Sequence, residues 1–123
     1  MNLIGEKIKV MNTGSLKQGD IIKVSLDPTH GHEQAGYRPA IIVSNHLVQD
    51  NSHIWLCCPI SHTNRKFPLY IDLPRYLSID GKVLIDQVRP LDLSKREFKY
   101  VESLKENDLD RVLTYLKLMF DTD

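Results

Sequence analysis

The sequence lacks the features that mark secreted, zinc-binding and membrane proteins. Its only two cysteines, Cys57 and Cys58, are adjacent inside an apolar run, a poor arrangement for a disulfide framework or a zinc-binding pair. No apolar stretch approaches the length of a membrane span, and the first residues lack the long apolar run of a signal peptide. These absences predict a protein of the reducing cytoplasm, with no metal or other cofactor.

The chain also lacks an excess of charge of either sign. Sixteen basic residues balance sixteen acidic ones, so any phosphate-binding surface must be local. Hydrophobic residues make up 41% of the 123 residues and charged residues 26%, which is typical of a globular chain and not of a disordered one. A chain of this length supports one compact domain. We predict a weakly ordered extension over residues 1–18 and a single domain over residues 19–123.

Several short segments alternate apolar and polar residues with a period of two, which predicts β-strands. In the third segment, Trp55 and Cys57 fall on one face and Leu56 and Cys58 on the other, so both faces are expected to be covered. Six short strands predict a mainly β fold, either a barrel or a strongly bent antiparallel sheet. The predicted strands cover residues 20–26, 40–43 with Pro39 at the first position, 53–60, 67–73 near an edge, 82–88 and 98–101.

The C-terminal segment has a helical period instead. Its apolar residues recur three or four positions apart, which predicts an amphipathic helix. Two helix starts are possible: Ser103 with Glu106 can form a capping box, and Asn107 beside Asp110 can act as the cap. The apolar positions are Leu109, Val112, Leu113, Leu116 and Phe120.

A long polar stretch, residues 27–37, separates the first two predicted strands and is too long for a tight turn. Arg38 follows it at the start of a buried strand, so its stem is anchored while its guanidinium can reach a phosphate. An ion pair with Glu33 is the structural alternative for Arg38. His30 and His32 lie in the same stretch and could carry protons, although two solvated histidines are equally compatible with the spacing.

Two further polar clusters are candidates for a site. Ser61 to Asn64 ends the third predicted strand with groups that can donate hydrogen bonds to a phosphate, and Arg65 and Lys66 add positive charge. An ordinary strand-ending turn explains that cluster equally well. Asp86 and Gln87 interrupt an apolar segment, and a carboxylate there needs partners or solvent. They are candidates for the floor of a site or for a core network.

Three short motifs follow one another at a definite spacing. The first is Gly19-Asp20, then Asp27-Pro28 and the run Gly31-His32-Glu33-Gln34-Ala35-Gly36-Tyr37-Arg38-Pro39. The second is Pro59-Ile60-Ser61 and the third is Asp86-Gln87-Val88-Arg89. Together they resemble the MazF/PemK/Kid family of toxins from type II toxin-antitoxin systems, over roughly Gly19 to Phe120.

The resemblance implies an SH3-like barrel, a homodimer, and metal-independent cleavage of single-stranded mRNA that inhibits translation and growth. The 2'-oxygen would attack the adjacent phosphorus and leave a 2',3'-cyclic phosphate and a 5'-hydroxyl. Arg38 and Ser61 match residues that act at the scissile phosphate, with Arg38 stabilising charge or donating a proton, and His32 and Asp86 match further catalytic residues of some members. The RNA-binding candidates are Glu33, Gln34, Tyr37, His62, Thr63, Arg65, Lys66, Gln87 and Arg89.

The sequence departs from this family at two positions. Ser61 stands where threonine is common, and Leu84 stands where the Kid branch has an arginine. The resemblance also implies a cognate antitoxin as partner. Because fold alone does not fix function, two alternatives remain: a CcdB-like protein poison of the same barrel fold that binds gyrase, and an inactive relative that binds only an antitoxin.

Overall fold

The structure, a computed structural model, describes residues 15–26 and 37–123. The predicted mainly β fold with a C-terminal helix is confirmed. Of the predicted N-terminal extension, residues 1–14 lie outside the described residues. In chain order the elements are β1 (Asp20–Ser25), β2 (Tyr37–Ile42), α1 (His46–Ser52), β3 (Trp55–Ser61), β4 (Tyr70–Asp72), β5 (Lys82–Leu84), a 3-10 turn (Ile85–Gln87), β6 (Arg89–Leu91), β7 (Phe98–Ser103) and α2 (Glu106–Leu118).

The strands form one bent antiparallel sheet. Their order is β4-β5-β3-β2-β1-β7, and β6 pairs separately with β3. Strand β3 therefore has three partners: β2, β5 and β6. Strands β4 and β7 end the order, and in the described part of the chain no pairing joins them. The sheet is therefore strongly bent and not closed into a barrel, and the predicted edge position of β4 is confirmed.

Alternation along β3 supplies both faces of the sheet with apolar side chains. Trp55 and Cys57 pack into one core cluster, and Cys58 and Ile60 pack into the other. Helix α2 covers the second cluster, to which it contributes the buried Val112. The prediction that both faces of β3 are covered is confirmed. Burial of large side chains of this kind contributes about 1.5–3 kcal/mol each.

Strand β2 begins earlier than predicted, and Pro39 is its third residue and not its first. Pro39 pairs with Lys23 of β1, whereas the pairing of β2 with β3 starts only at Ala40. The side of β2 that faces β3 therefore needs no N–H donor at position 39. A proline is tolerated inside a strand when its missing donor falls on an unpaired side.

Two other predicted strands are shorter than the alternation suggests. Phe67 to Leu69 form a turn, closed by a hydrogen bond from the Tyr70 N–H to the Phe67 carbonyl, so β4 begins only at Tyr70. The predicted strand 82–88 breaks after Leu84 into the 3-10 turn. Its Ile85 points into the core, whereas Asp86 and Gln87 are exposed. Asp86 therefore carries no buried, unpaired charge.

The helices correct the sequence analysis at their starts. Helix α1 was not predicted, although Asn45 caps it by accepting a hydrogen bond from the Leu47 N–H. Helix α2 begins at Glu106 with Lys105 at the N-cap and no capping side chain. Both predicted caps are wrong, because Ser103 lies in β7 and Asn107 lies inside the helix. In the described ranges, no helix is long and apolar enough to cross a membrane.

The Gly19-Asp20 motif joins the first and last strands. Gly19 has a φ of +94°, donates its N–H to the Ile42 carbonyl and accepts from the Leu104 N–H. The Asp20 carboxylate is buried and accepts hydrogen bonds from the Lys17 N–H and the Ser103 hydroxyl. This part of the first motif is therefore structural.

Gly81 is a second position that needs glycine. Its φ is +126°, and an added Cβ would lie 3.0 Å from the Ser61 carbonyl oxygen. We expect Gly81→Ala to destabilise the fold by about 1–3 kcal/mol, since the strained backbone meets a fixed neighbouring backbone. Urea denaturation measures the change. The exposed Lys99→Ala on β7 is the control, with an expected change within about 0.5 kcal/mol; equal stability of Gly81→Ala would contradict this account.

Candidate active-site cleft

An open cleft of about 480 Å³ lies where β2 begins and β3 ends. Its walls come from these strands, from β1 and from the segment that precedes β5. It brings together Tyr37, Arg38, Ser61 and His62, four residues that the sequence analysis had singled out. The lining residues are Lys23, Tyr37, Arg38, Pro39, Ile60, Ser61, His62, Ser78, Ile79 and Asp80.

The pairing of β2 with β3 explains why Arg38 and Ser61 are neighbours. The two strands are antiparallel, with Ala40 opposite Pro59 and Ile41 opposite Cys58. Continuing this register by two residues places Arg38 opposite Ser61. The buried middle of each strand thus fixes the position of a polar residue at its exposed end, which is how a rigid scaffold positions a site.

His62 follows Ser61 and pairs with a carboxylate from another part of the chain. Its Nε2 lies 2.6 Å from Oδ1 of Asp80, although both side chains are well exposed. The hydrogen bond and charge of the imidazole lower the pKa of Asp80 from its usual value. Asp80 therefore stays ionised at neutral pH and can orient the imidazole.

The segment that carries Asp80 is fastened to β7. The carboxylate of Glu102 accepts hydrogen bonds from the Ser78 N–H at 2.9 Å, the Ile79 N–H at 3.1 Å and the Ser78 hydroxyl at 2.7 Å. Desolvation raises the pKa of Glu102, but these hydrogen bonds outweigh it and lower the pKa. Glu102 thereby fixes one wall of the cleft.

Tyr76 provides a second fastening of the same segment. Its hydroxyl donates to the Asp108 carboxylate at 2.7 Å and accepts from the Lys105 N–H at 2.7 Å. The ammonium of Lys105 also lies 4.4 Å from the centre of the Tyr76 ring, a favourable cation–π contact. The start of α2 therefore holds the segment before Asp80 in place.

The cleft concentrates positive charge in a chain with no net charge. Lys23 and Arg38 both line it. At its rim, the Tyr37 hydroxyl donates a hydrogen bond of 2.7 Å to Glu97, and this bond to a carboxylate raises the pKa of Tyr37. Tyr37 therefore stays protonated and can offer an uncharged aromatic ring beside two cations.

A second cleft, of about 410 Å³, adjoins the first. Ser61, His62 and Asp80 line both clefts, so the His62–Asp80 pair marks the boundary between them. Thr63, a predicted RNA-binding residue, lines only the second cleft, together with Arg75 and Lys82.

Other predicted site residues lie outside both clefts. Arg65 packs its guanidinium 5.1 Å from the ring centre of Phe67, and Lys66 is exposed beside it. Asp86, Gln87 and Arg89 belong to the 3-10 turn and β6 and line neither cleft. The predicted residues His30, His32, Glu33 and Gln34 lie outside the described residues.

The sequence analysis missed Lys23, Asp80 and Glu102. Lys23 was assigned only to the polar face of a strand, and its place in the cleft depends on the pairing of β1 with β2. Asp80 falls between the predicted strands 67–73 and 82–88, and its contact with His62 spans 18 residues. The one available signal was the Asp80-Gly81 pair, which is typical of a turn and directly precedes the predicted strand 82–88.

A metal site in this cleft would need several ligating side chains close together. Within residues 15–26 and 37–123, no group of three or more His, Cys, Asp or Glu side chains is arranged to hold a metal ion. The two cysteines are buried in β3, and burial raises the pKa of each thiol to about 12. Both thiols are therefore protonated and unsuited to nucleophilic chemistry.

Comparison with known proteins places the chain in one family. The crystal structure of MazF from Deinococcus radiodurans has a TM-score of 0.73 and 27% identity and covers 85% of this chain and 96% of that chain. The model of the PemK-like, MazF-like toxins of type II toxin-antitoxin systems matches residues 17–120. The chain belongs to this toxin family, as its motifs had indicated.

Two curated relatives from Escherichia coli are named endoribonucleases. The toxin MazF of strain K12 is 37% identical over 73 residues, which make up 59% of this chain. The matched part spans 65% of that MazF, slightly less than two thirds of its length. The relative PemK is 31% identical over 108 residues, covering 85% of this chain and 81% of PemK.

The fastening of the cleft wall by Glu102 should depend on pH. The lowered pKa of Glu102 means that its ionised form stabilises the fold above the unfolded-state value, about 4.3, and that this contribution disappears as the pH falls through the lower folded-state value. We expect Glu102→Gln to be less stable than the wild-type chain by about 1 kcal/mol at pH 7 and equally stable near pH 3.

Urea denaturation at the two pH values measures this difference. The exposed Asp121→Asn at the C-terminus is the matched control and should leave stability unchanged at both pH values. A difference for Glu102→Gln that is the same at pH 7 and pH 3 would show that the charge of Glu102 does not hold the segment.

Proposed function

We propose that this chain is an endoribonuclease toxin that cuts single-stranded mRNA without a metal ion. The observation that carries the proposal is that Arg38 and Ser61 line one cleft, two residues beyond the last pair of the β2–β3 register, Ala40 opposite Pro59. A cleft of about 480 Å³ lies within the range of roughly 300–1,000 Å³ typical of small-ligand pockets, so one nucleotide fits. Two curated relatives that are named endoribonucleases support the assignment.

Arg38 and Ser61 have complementary roles at the scissile phosphate. When the 2'-oxygen attacks the phosphorus, negative charge builds up on the non-bridging oxygens. A guanidinium stays protonated and offers paired donors to those oxygens, so Arg38 stabilises this charge. The Ser61 hydroxyl donates a hydrogen bond that orients the phosphate. The products are a 2',3'-cyclic phosphate and a 5'-hydroxyl.

His32 and Asp86 stay candidates on different grounds. His32 lies outside the described residues, and its role as general base rests on the family resemblance alone. Asp86 is exposed on the 3-10 turn and lines neither cleft. The charge of Asp86 acts on Cys58, whose pKa is raised mainly by burial and further by this nearby carboxylate. A catalytic role for Asp86 therefore needs RNA that extends beyond the first cleft.

RNA binding is proposed along both clefts. Tyr37 and His62 line the first cleft and Thr63 the second, and Lys23 adds a cation that the sequence analysis had not assigned. Because few basic residues line the clefts and the net charge is zero, affinity should be modest and should fall with added salt. Arg65, Lys66, Gln87 and Arg89 are proposed as outer contacts, since they lie outside both clefts.

The proposed partners follow from the family. A type II toxin is inhibited by a protein antitoxin. We propose that a cognate antitoxin covers the two clefts to which RNA is proposed to bind. We also propose that the chain is a homodimer and acts in the cytoplasm. The alternatives, a gyrase-binding poison and an inactive antitoxin-binding relative, make no use of the polar groups that line the cleft.

Cleavage should depend on Arg38. We expect purified wild-type protein to cut a long single-stranded RNA in EDTA and Arg38→Ala to lose at least about 100-fold in rate, because one donor to the transition-state charge is worth about that factor. Mapping of the cut positions and end groups measures the effect. The exposed Arg111→Ala on α2 is the matched control and should cut like the wild type. No cutting by any variant would favour a protein poison or an inactive relative.

The hydroxyl at position 61 should matter more than the shape of the side chain. We expect Ser61→Thr to keep at least about half of the cleavage rate, whereas Ser61→Ala should lose about tenfold, the equivalent of one hydrogen bond. Initial rates on the same RNA measure both, and thermal melts check that both variants fold. Equal rates for Ser61→Ala and the wild type would exclude Ser61 from the phosphate site.

A further inference from the structure

The His62–Asp80 pair lies in the proposed active-site cleft. Its two members come from different parts of the chain: His62 follows β3, and Asp80 precedes β5. The distance of 2.6 Å between Nε2 and Oδ1 is that of a charge-assisted hydrogen bond. An exposed pair of this kind contributes little to stability, so its position calls for another explanation.

The carboxylate determines the state of the imidazole. An ionised carboxylate only accepts hydrogen bonds, so Nε2 of His62 carries the hydrogen in this contact, and in the neutral imidazole Nδ1 keeps its lone pair. Nδ1 can therefore take up a proton from a bound ligand. The resulting imidazolium is stabilised by Asp80, which stays ionised because its pKa is lowered. An imidazole oriented in this way can act as a general base.

The cleft wall supplies the rigidity that such a base requires. Glu102 holds Ser78 and Ile79 by hydrogen bonds, and these residues immediately precede Asp80. Gly81 on the other side packs closely against the Ser61 carbonyl, so that an added Cβ would lie 3.0 Å from its oxygen. Asp80 is thus fixed from both sides, and Ser61 and His62 are tied to the same backbone contact.

We propose that His62, oriented by Asp80, is the group that takes the proton from the attacking 2'-hydroxyl. This inference rests on the proposed ribonuclease function and names a base among the described residues. The bond from the 2'-oxygen to phosphorus forms, and the bond from phosphorus to the 5'-oxygen breaks. The 2'-hydroxyl proton passes to Nδ1 of His62. The leaving 5'-oxygen takes a proton from water in the open cleft, and the imidazolium later releases its proton to solvent.

Several other charged or titratable groups line the two clefts beside His62. The first cleft contributes two cations, a phenol and Asp80; the second contributes two cations and Asp72. Besides Asp80 and Asp72, the groups are Lys23, Tyr37, Arg38, Arg75 and Lys82.

Cleavage kinetics on a defined single-stranded RNA in EDTA test the assignment, with kcat and KM measured between pH 5 and pH 9. For the wild type, kcat should rise with pH as the imidazole loses its proton. His62→Gln should lower kcat by about 100-fold or more, raise KM far less than it lowers kcat, and remove this rise. Asp80→Asn should lower kcat less than His62→Gln does and change KM little, because the imidazole stays in place but loses the carboxylate that orients it.

Two controls separate this assignment from a structural effect and from failure of the proposed function. His53→Asn changes another exposed histidine, at the end of α1, and should leave kcat and the pH profile as in the wild type. If His62→Gln kept the wild-type pH profile while His32→Gln removed it, the assignment would be overturned although the ribonuclease function stood. A wild-type chain that cuts no RNA would overturn both.

Discussion

The pairing of β2 with β3 is the interaction on which the rest of the structure depends. Strand β3 contacts three other strands and supplies Trp55 and Cys57 to one core cluster and Cys58 and Ile60 to the other. A shift of one residue in this register would turn every side chain of β3 to the opposite face. The same register places Arg38 opposite Ser61, so the packing of the core and the geometry of the cleft are fixed together.

The remaining wall of the cleft depends on contacts between distant parts of the chain. Glu102 on β7 holds the segment before Asp80, and Tyr76 ties it to α2. These contacts add modestly to stability, by about 1 kcal/mol for Glu102, and they restrict where the segment that carries Asp80 can lie relative to His62. Positioning of this kind is what a site requires if it acts by orientation and charge and not by a bound metal.

Apolar alternation in the sequence predicted the regular strands. It did not predict where tertiary contacts end or interrupt a strand. Strand β3 and the C-terminal helix follow from their apolar periods. The break after Leu84 does not, because Ile85 keeps the apolar pattern while the backbone turns. Arg38 and Ser61 were predictable from their motifs, whereas Lys23 and Asp80 join the cleft only through strand pairing and a contact over 18 residues, which no local pattern reveals.

RNA is proposed to bind with a phosphate between Arg38 and Ser61. The most direct test is a nuclear magnetic resonance titration of the ¹⁵N-labelled chain with a 2'-O-methyl oligonucleotide, which can bind but cannot be cut because it lacks the attacking hydroxyl. We predict that the largest chemical shift changes fall on the backbone amides of residues 37–38, 60–62 and 78–80. Large shifts confined to other surfaces, with these amides unchanged, would contradict it.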